Sequence, residues 1–245
     1  MRRLRFYILA AIALFAAACG NEPQKSTLPE FETFEYEMIE EGNYSITISY
    51  ERIANRDANE AYAIIDSMNY HTTFGEFALE QPDLQRSAEM MAQDALVGIE
   101  LYDIFDLAYD MHLYQVASLV RNNTIVCYDT VMESNFGGIY PIVSHGYECY
   151  DLASGNAYDF SYLAEGEWTD ALRIVLFDKM IAEHGSDITV PSAEFLHISN
   201  TTYLTDTGIV FMYQSFEVGS PDMDNVFVEL SDEELAATGA PVVWE

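Results

Sequence analysis

The chain has 245 residues, half of them hydrophobic, which is enough apolar surface for one or two packed units and excludes a disordered tail. Its 10 Lys+Arg against 41 Asp+Glu give a formal net charge of -31. Such a surface repels nucleic acid and anionic lipid and favours basic partners, although acidity also serves simply to keep an exported protein soluble.

The chain opens with Arg2, Arg3 and Arg5, an apolar run from Phe6 to Ala18, and small residues leading to Cys19-Gly20. That run is too short to span a bilayer comfortably and reads as a signal peptide over residues 1–18. The stretch FAAACG resembles a bacterial lipobox, with Ala16 where leucine is commonest, so Cys19 is the expected lipidation site. Gly20 after it resembles lipoproteins sorted onward to an outer membrane, facing the periplasm or the cell surface; the alternative is an ordinary cleaved signal with a stray cysteine. Cleavage before Cys19 removes three arginines and no acids, leaving 7 basic against 41 acidic residues, a charge of -34.

Residues 19–30 contain two prolines and no periodicity and read as a flexible tether. FETFEYEMIE and YSITISY alternate apolar and polar residues around Glu41-Gly42-Asn43, the pattern of a β-hairpin. Asp57 and Glu60 have the spacing of a capping box ahead of a helix carrying Ala61, Ile64, Ile65 and Met68, and a second helix is predicted from Pro82 through Ile99. Methionines at that spacing fill a core rather than form a cofactor box. After about residue 105 the texture turns to strands, MHLYQVASLV and TIVCYDTVM, joined by an Arg121-Asn122-Asn123 turn. One more helix is predicted from Trp168 to Ala182, ended by His184-Gly185, before strands in EFLHIS, TYLTDTGIVFMYQSF and NVFVEL. This order predicts an α+β fold with mainly antiparallel sheet, a small N-terminal α/β unit over 31–104 and a larger β-rich unit over 105–240.

GGIYPIVSHGYECYDLASG, residues 137–155, gathers four glycines, a histidine, a cysteine and an aspartate. As a strand it puts His145, Tyr147, Cys149 and Asp151 on one face, with His145 roughly 13 Å from Cys149, too far for a nucleophile and its base. The sequence holds no HExxH, GxSxG, P-loop, helix-opening GxGxxG or paired CxxC, and its five histidines stand at no metal-ligand spacing, so neither a metal, a cofactor nor an enzymatic activity is expected. Cys127 and Cys149 flank the Gly137-Gly138 turn in a compartment that permits disulfides; a cross-strand bridge and two buried thiols are the two readings.

The same stretch, with Gly137-Gly138, Pro141, Asp151-Leu152 and Gly155, resembles the central motif of the domain shared by RsiV-like anti-sigma ectodomains, which sense lysozyme, and PdaC-type peptidoglycan deacetylases. GIVFMYQSFEV (208–218) and NVFVELSDEEL (225–235) resemble that domain's later segments, and YSITISYERI with the following helix resembles the smaller domain that precedes it. Tyr140 stands where the family has a histidine, Ile139 replaces the alanine before it, and His145 falls at an aromatic position. The resemblance implies the extracytoplasmic module alone, on a lipid tether in the cell envelope. Its expected partner is a basic protein such as lysozyme or a peptidoglycan component, with no nucleic acid and no membrane contact beyond the lipid. Binding residues are expected among Tyr140, His145, Tyr147, Tyr213 and Phe216 if these aromatics are exposed; otherwise they are core. An envelope polysaccharide hydrolase using an Asp/Glu pair and a passive structural lipoprotein are the competing readings.

Overall fold

A computed structural model describes residues 28–101, 109–135, 141–220 and 223–244. The expected signal peptide, Cys19 and the Gly137-Gly138-Ile139-Tyr140 stretch lie outside them. Leu28 to Glu30, at the end of the expected tether, are already tied to the fold: Asn55 donates to the Leu28 carbonyl and accepts from the Glu30 amide.

The architecture is α+β with mainly antiparallel sheet. Strands β1 (Phe31–Glu40), β2 (Tyr44–Ile53), β3 (Tyr109–Val120), β4 (Ile125–Asn135) and β5 (Ile142–Asp151) form one sheet in that spatial order. Every neighbouring pair is antiparallel except β2 and β3, which run parallel. The long connection that parallel pairing demands holds α1 (Glu60–Phe74) and α2 (Leu84–Leu101). The boundary expected between residues 104 and 105 falls outside the described residues, and the strands on either side of it pair with each other.

Both helices cover one face of this sheet. Tyr70, Phe74, Ala88 and Ala92 pack on Ile46, Ile48 and Tyr50, while Tyr62 and Ile65 pack on Val126, Tyr128 and Tyr150. The N-cap of α1 is Asn59, whose side chain accepts from the Ala61 amide; Asp57 sits one turn earlier in a short 3-10 segment, so the expected Asp57–Glu60 capping box does not form. The interior here is partly polar. Asn69 and Gln115 face each other amide to amide at 3.0 Å in both directions, and the two N–H groups of Gln115 are shared among Asn69, Thr73 and Thr130, so neither buried amide is left unsatisfied.

A second, antiparallel sheet holds β6 (Thr202–Leu204), β7 (Gly208–Tyr213) and β8 (Val226–Ser231), with the short helices α4 (Ser215–Val218) and α5 (Asp232–Ala237) after β7 and β8. Helix α3 (Thr169–His184) lays Leu172, Leu176 and Met180 on one face of it, against Ile209, Phe211 and Leu230. The expected EFLHIS strand is instead a 3-10 turn, Ala193–Phe195, leading into extended chain without a ladder. Among the described residues no helix is long and apolar enough to cross a membrane.

Two features tie the sheets together. Cys127 and Cys149 are directly opposed on β4 and β5 and are joined by a disulfide, packed against Leu204 of β6. At the β3–β4 turn, Arg121, Asn122 and Asn123 all have positive φ, near 55° to 61°, a conformation that costs a side-chain-bearing residue about 1 kcal/mol. That turn aims the Arg121 guanidinium across to the second sheet, where it donates to both Asp232 oxygens and, at 2.9 Å, to the Gly208 carbonyl. Trp244 donates to Asp232 as well and lies under the guanidinium. Hydrogen bonds from Arg121 first, and from Trp244, hold the Asp232 carboxyl below its ordinary range.

Arg121→Met should therefore destabilise the fold by about 2 kcal/mol in urea melts near neutral pH. Because the folded carboxyl titrates below the unfolded one, its contribution is present above about pH 4 and lost as pH falls through the folded value, so the wild-type advantage should shrink in acid. An unchanged gap between neutral pH and pH 2 would contradict this account. Replacing Cys127 and Cys149 together by alanine should cost about 3 kcal/mol, as expected for a bridge spanning 22 residues. Non-reducing peptide mapping should recover the two cysteines in one linked fragment.

Candidate functional site

The face of the large sheet opposite α1 and α2 carries no helix. By alternation and register it presents Glu35 and Glu37 of β1, Thr47 and Ser49 of β2, His112, Tyr114 and Val116 of β3, and Asp129 and Glu133 of β4. Tyr114 and Val116 are 44% and 51% exposed, an unusual concession for large apolar groups on a sheet centre. The five strands contain one arginine and no lysine: Arg52, whose guanidinium meets Asp66 on the helix-covered side and Glu32 at the rim. The open face is thus acidic and aromatic, with no fixed cation of its own.

At its β5 border the face turns a corner into the second sheet. His145 and Tyr147 project there from β5, as strand geometry requires, and meet Tyr203 of β6 and Phe227 of β8. Tyr147 stacks on Tyr203 with ring centres 4.4 Å apart, and His145 meets Phe227 edge to face at 6.2 Å. His145 Nδ1 lies 3.3 Å from the Tyr147 hydroxyl and 3.5 Å from the Asp129 carboxylate. Burial, then the nearby Asp129 charge and Tyr203, push the Tyr147 phenol well above its ordinary range. Beyond Tyr203 and Phe227 the corner opens into a cleft of about 570 Å³ walled by Glu229, Glu183, Glu234 and Lys179. Lys179 is already engaged, donating to Glu234 and to the Glu229 carbonyl, so the cleft's uncommitted charge is negative.

Cys149 and Asp151, singled out in the sequence, are both committed elsewhere. Cys149 is consumed by the disulfide, and Asp151 is spent on the Ser154 amide and hydroxyl of the turn. The nearest hydroxyl–imidazole pair is Thr47 with His112 Nδ1, 2.7 Å apart on the open face. The strand amides around it are directed along the ladder rather than out of the face. Among the described residues no group of His, Cys, Asp or Glu is arranged to hold a metal ion.

Of the aromatics singled out in the sequence, His145 and Tyr147 come together at the corner, and Tyr140 lies outside the described residues. Tyr213 is fully buried and donates to the His197 carbonyl, which makes it core. Phe216 is 65% exposed on α4 and is not one of the rings that meet at the corner. Tyr203, Phe227 and Asp129 were not expected. They come from three strands distant in sequence, and the only local hint was the polar-apolar alternation of NVFVEL, which marks Phe227 as outward-facing.

No protein-family model and no curated protein matches the sequence. Solved structures are more informative. A DUF3298 family member from Bacteroides fragilis NCTC 9343 superposes with a TM-score of 0.67 over 85% of this chain and 92% of its own, at 14% identity. The fold is that of the DUF3298 structures. A DUF3298 protein from Pseudomonas aeruginosa PAO1 agrees, with a TM-score of 0.56 over 87% of this chain and 97% of its own, at 12% identity. Both superpositions extend over most of this chain rather than over one part of it.

The raised Tyr147 phenol gives a measurable signature. A phenol that holds its proton longer in the folded state contributes stability that is intact below about pH 10, where the unfolded phenol ionises, and is lost as pH rises further. Tyr147→Phe should make the alkaline fall in stability less steep by one proton, measured as the pH dependence of urea unfolding. A slope identical to that of the wild type would show that Tyr147 ionises freely.

Proposed function

We propose that this chain is a non-catalytic binding module of the bacterial cell envelope, anchored through a lipid on Cys19, that takes a cationic protein partner on its open sheet face. The observation that carries the reading is the face itself. Glu35, Glu37, Asp129 and Glu133 share it with exposed Tyr114 and Val116, no arginine or lysine among the described residues pairs with these carboxylates, and it ends in an aromatic corner. Carboxylates spaced along a flat sheet steer a basic surface into contact, while Tyr114, Tyr147 and Tyr203 offer rings on which guanidinium and ammonium groups stack. The resemblance of residues 137–155 and 208–235 to RsiV-like and PdaC-type modules supports the same class of partner, with lysozyme as its first candidate. The lipobox-like FAAACG supports an outer-membrane location.

Calorimetry of the chain from Gly20 onward with hen egg-white lysozyme, and with cytochrome c as a second basic protein, tests this. Binding should be detectable at low salt, weaken about tenfold or more on moving to high salt, and fall similarly when Glu35, Glu37 and Glu133 are all changed to Gln. Absence of heat with both proteins at low salt, or binding indifferent to the triple substitution, would sink the proposal.

A further inference from the structure

The face of β5 turned away from the aromatic corner borders a separate cleft of about 260 Å³, between the C-terminal half of α1 and the ends of β4 and β5. Its polar lining is Thr72 and Thr73 of α1, Thr130 of β4, and Ser144, His145 and Glu148 of β5. Leu113 and Met132 supply an apolar pad beside them. Gly146 keeps it open: a Cβ there would come no closer than 4.0 Å to any atom, that atom being the Thr130 carbonyl oxygen.

The hydrogen-bonding state of this lining is decided from beneath. Gln115, 3% exposed, shares the two N–H groups of its amide nitrogen among three oxygens, the Thr130 hydroxyl at 2.8 Å, the Thr73 hydroxyl at 2.9 Å and Asn69 Oδ1 at 3.0 Å, with Thr130 the shortest contact. Thr73 passes its proton back to Asn69, but Thr130 has no acceptor for its own among the hydrogen bonds of the described residues, so it stands as a donor toward the cleft. Glu148 receives no hydrogen bond from any described residue, and its burial raises its carboxyl above the ordinary range. The cleft thus offers a donor held in place from below and a carboxylate acceptor, a few side chains apart, around an apolar pad.

A ligand that satisfies both must give and take hydrogen bonds within one small unit and present a carbon face to Leu113 and Met132. Ammonium groups only donate, and anions only accept and are repelled by Glu148. Vicinal hydroxyls on a ring do both. We propose that this cleft is a binding site for a neutral sugar ring, held by Glu148 and Thr130 with its apolar face on Met132. Ser144, Gly146 and Glu148 project from the side of β5 opposite Tyr147, so the cleft lies on the other side of the strand from the aromatic corner, with His145 bordering both.

Saturation-transfer NMR of the purified chain with D-glucose, D-galactose, D-mannose and N-acetyl-D-glucosamine tests it, with ethanolamine as the ammonium-bearing comparison. At least one sugar should give transfer with millimolar affinity. Gly146→Val, a β-favouring side chain placed into open space, should abolish the signal while leaving the thermal melt intact. Glu148→Gln, which keeps the shape and removes the charged acceptor, should weaken binding about tenfold. Should Gly146→Val fail to fold, Glu148→Gln alone decides. No transfer to any of the sugars, transfer indifferent to the substitutions that fold, or transfer to ethanolamine alone would overturn the proposal.

Discussion

The arrangement of both candidate surfaces depends on one guanidinium. Arg121 leaves a turn of three consecutive left-handed residues and closes on Asp232, Gly208 and Trp244, so the end of the first sheet is fixed against the second. Gly208 has no room for a side chain, because a Cβ would overlap the Leu230 carbonyl, and the same close approach leaves its own carbonyl available to Arg121. A partly buried, forked ion pair with aromatic backing offsets much of the conformational cost of the turn. In a chain with 10 basic residues and 41 acidic ones, spending an arginine in this way is a strong commitment.

Once that end is fixed, the small sheet meets the large one along β5, and the seam has two characters. On its inner side Cys149, Leu204 and the α3 leucines exclude water. On its outer side Tyr147 and Tyr203 stack in view of solvent, which turns two sheet faces into a corner. The helix-covered side has its own polar logic. Asn69 and Gln115 pair deep beneath α1, fixing how that helix sits and, through Thr130, which way a hydroxyl points at the rim.

Local features were the legible ones. The β1–β2 hairpin, α1, α2 and α3 could be read because alternation and helical spacing are properties of neighbouring residues. The strand geometry that separates His145 from Cys149 followed from the same rule. The parallel pairing of β2 with β3 could not be read, since it joins segments more than fifty residues apart and no local pattern distinguishes parallel from antiparallel partners. Asp57 and Glu60 had the spacing of a cap, but Asn59 lies in extended backbone next to the first helical turn and is the residue that forms it. GIVFMY is buried on both faces, so it carries no alternation from which to tell Tyr213 as core. The corner was illegible for the same reason as the pairing: β4, β5, β6 and β8 contribute about one or two side chains each, and only the assembled sheets bring them together.

Strand β5 lies at the edge of its sheet and turns different chemistry to each side, His145 and Tyr147 one way and Ser144, Gly146 and Glu148 the other. Edge strands are where pairing slips most readily, and a slip of one residue would exchange the two sets. The covalent bond between Cys127 and Cys149 forbids that slip, because it fixes which residue faces which. With the thiols reduced, the register of this edge rests on the ladder and on the burial of Cys149 and Tyr150; the bridge adds a covalent constraint that assigns each set of side chains to its own surface.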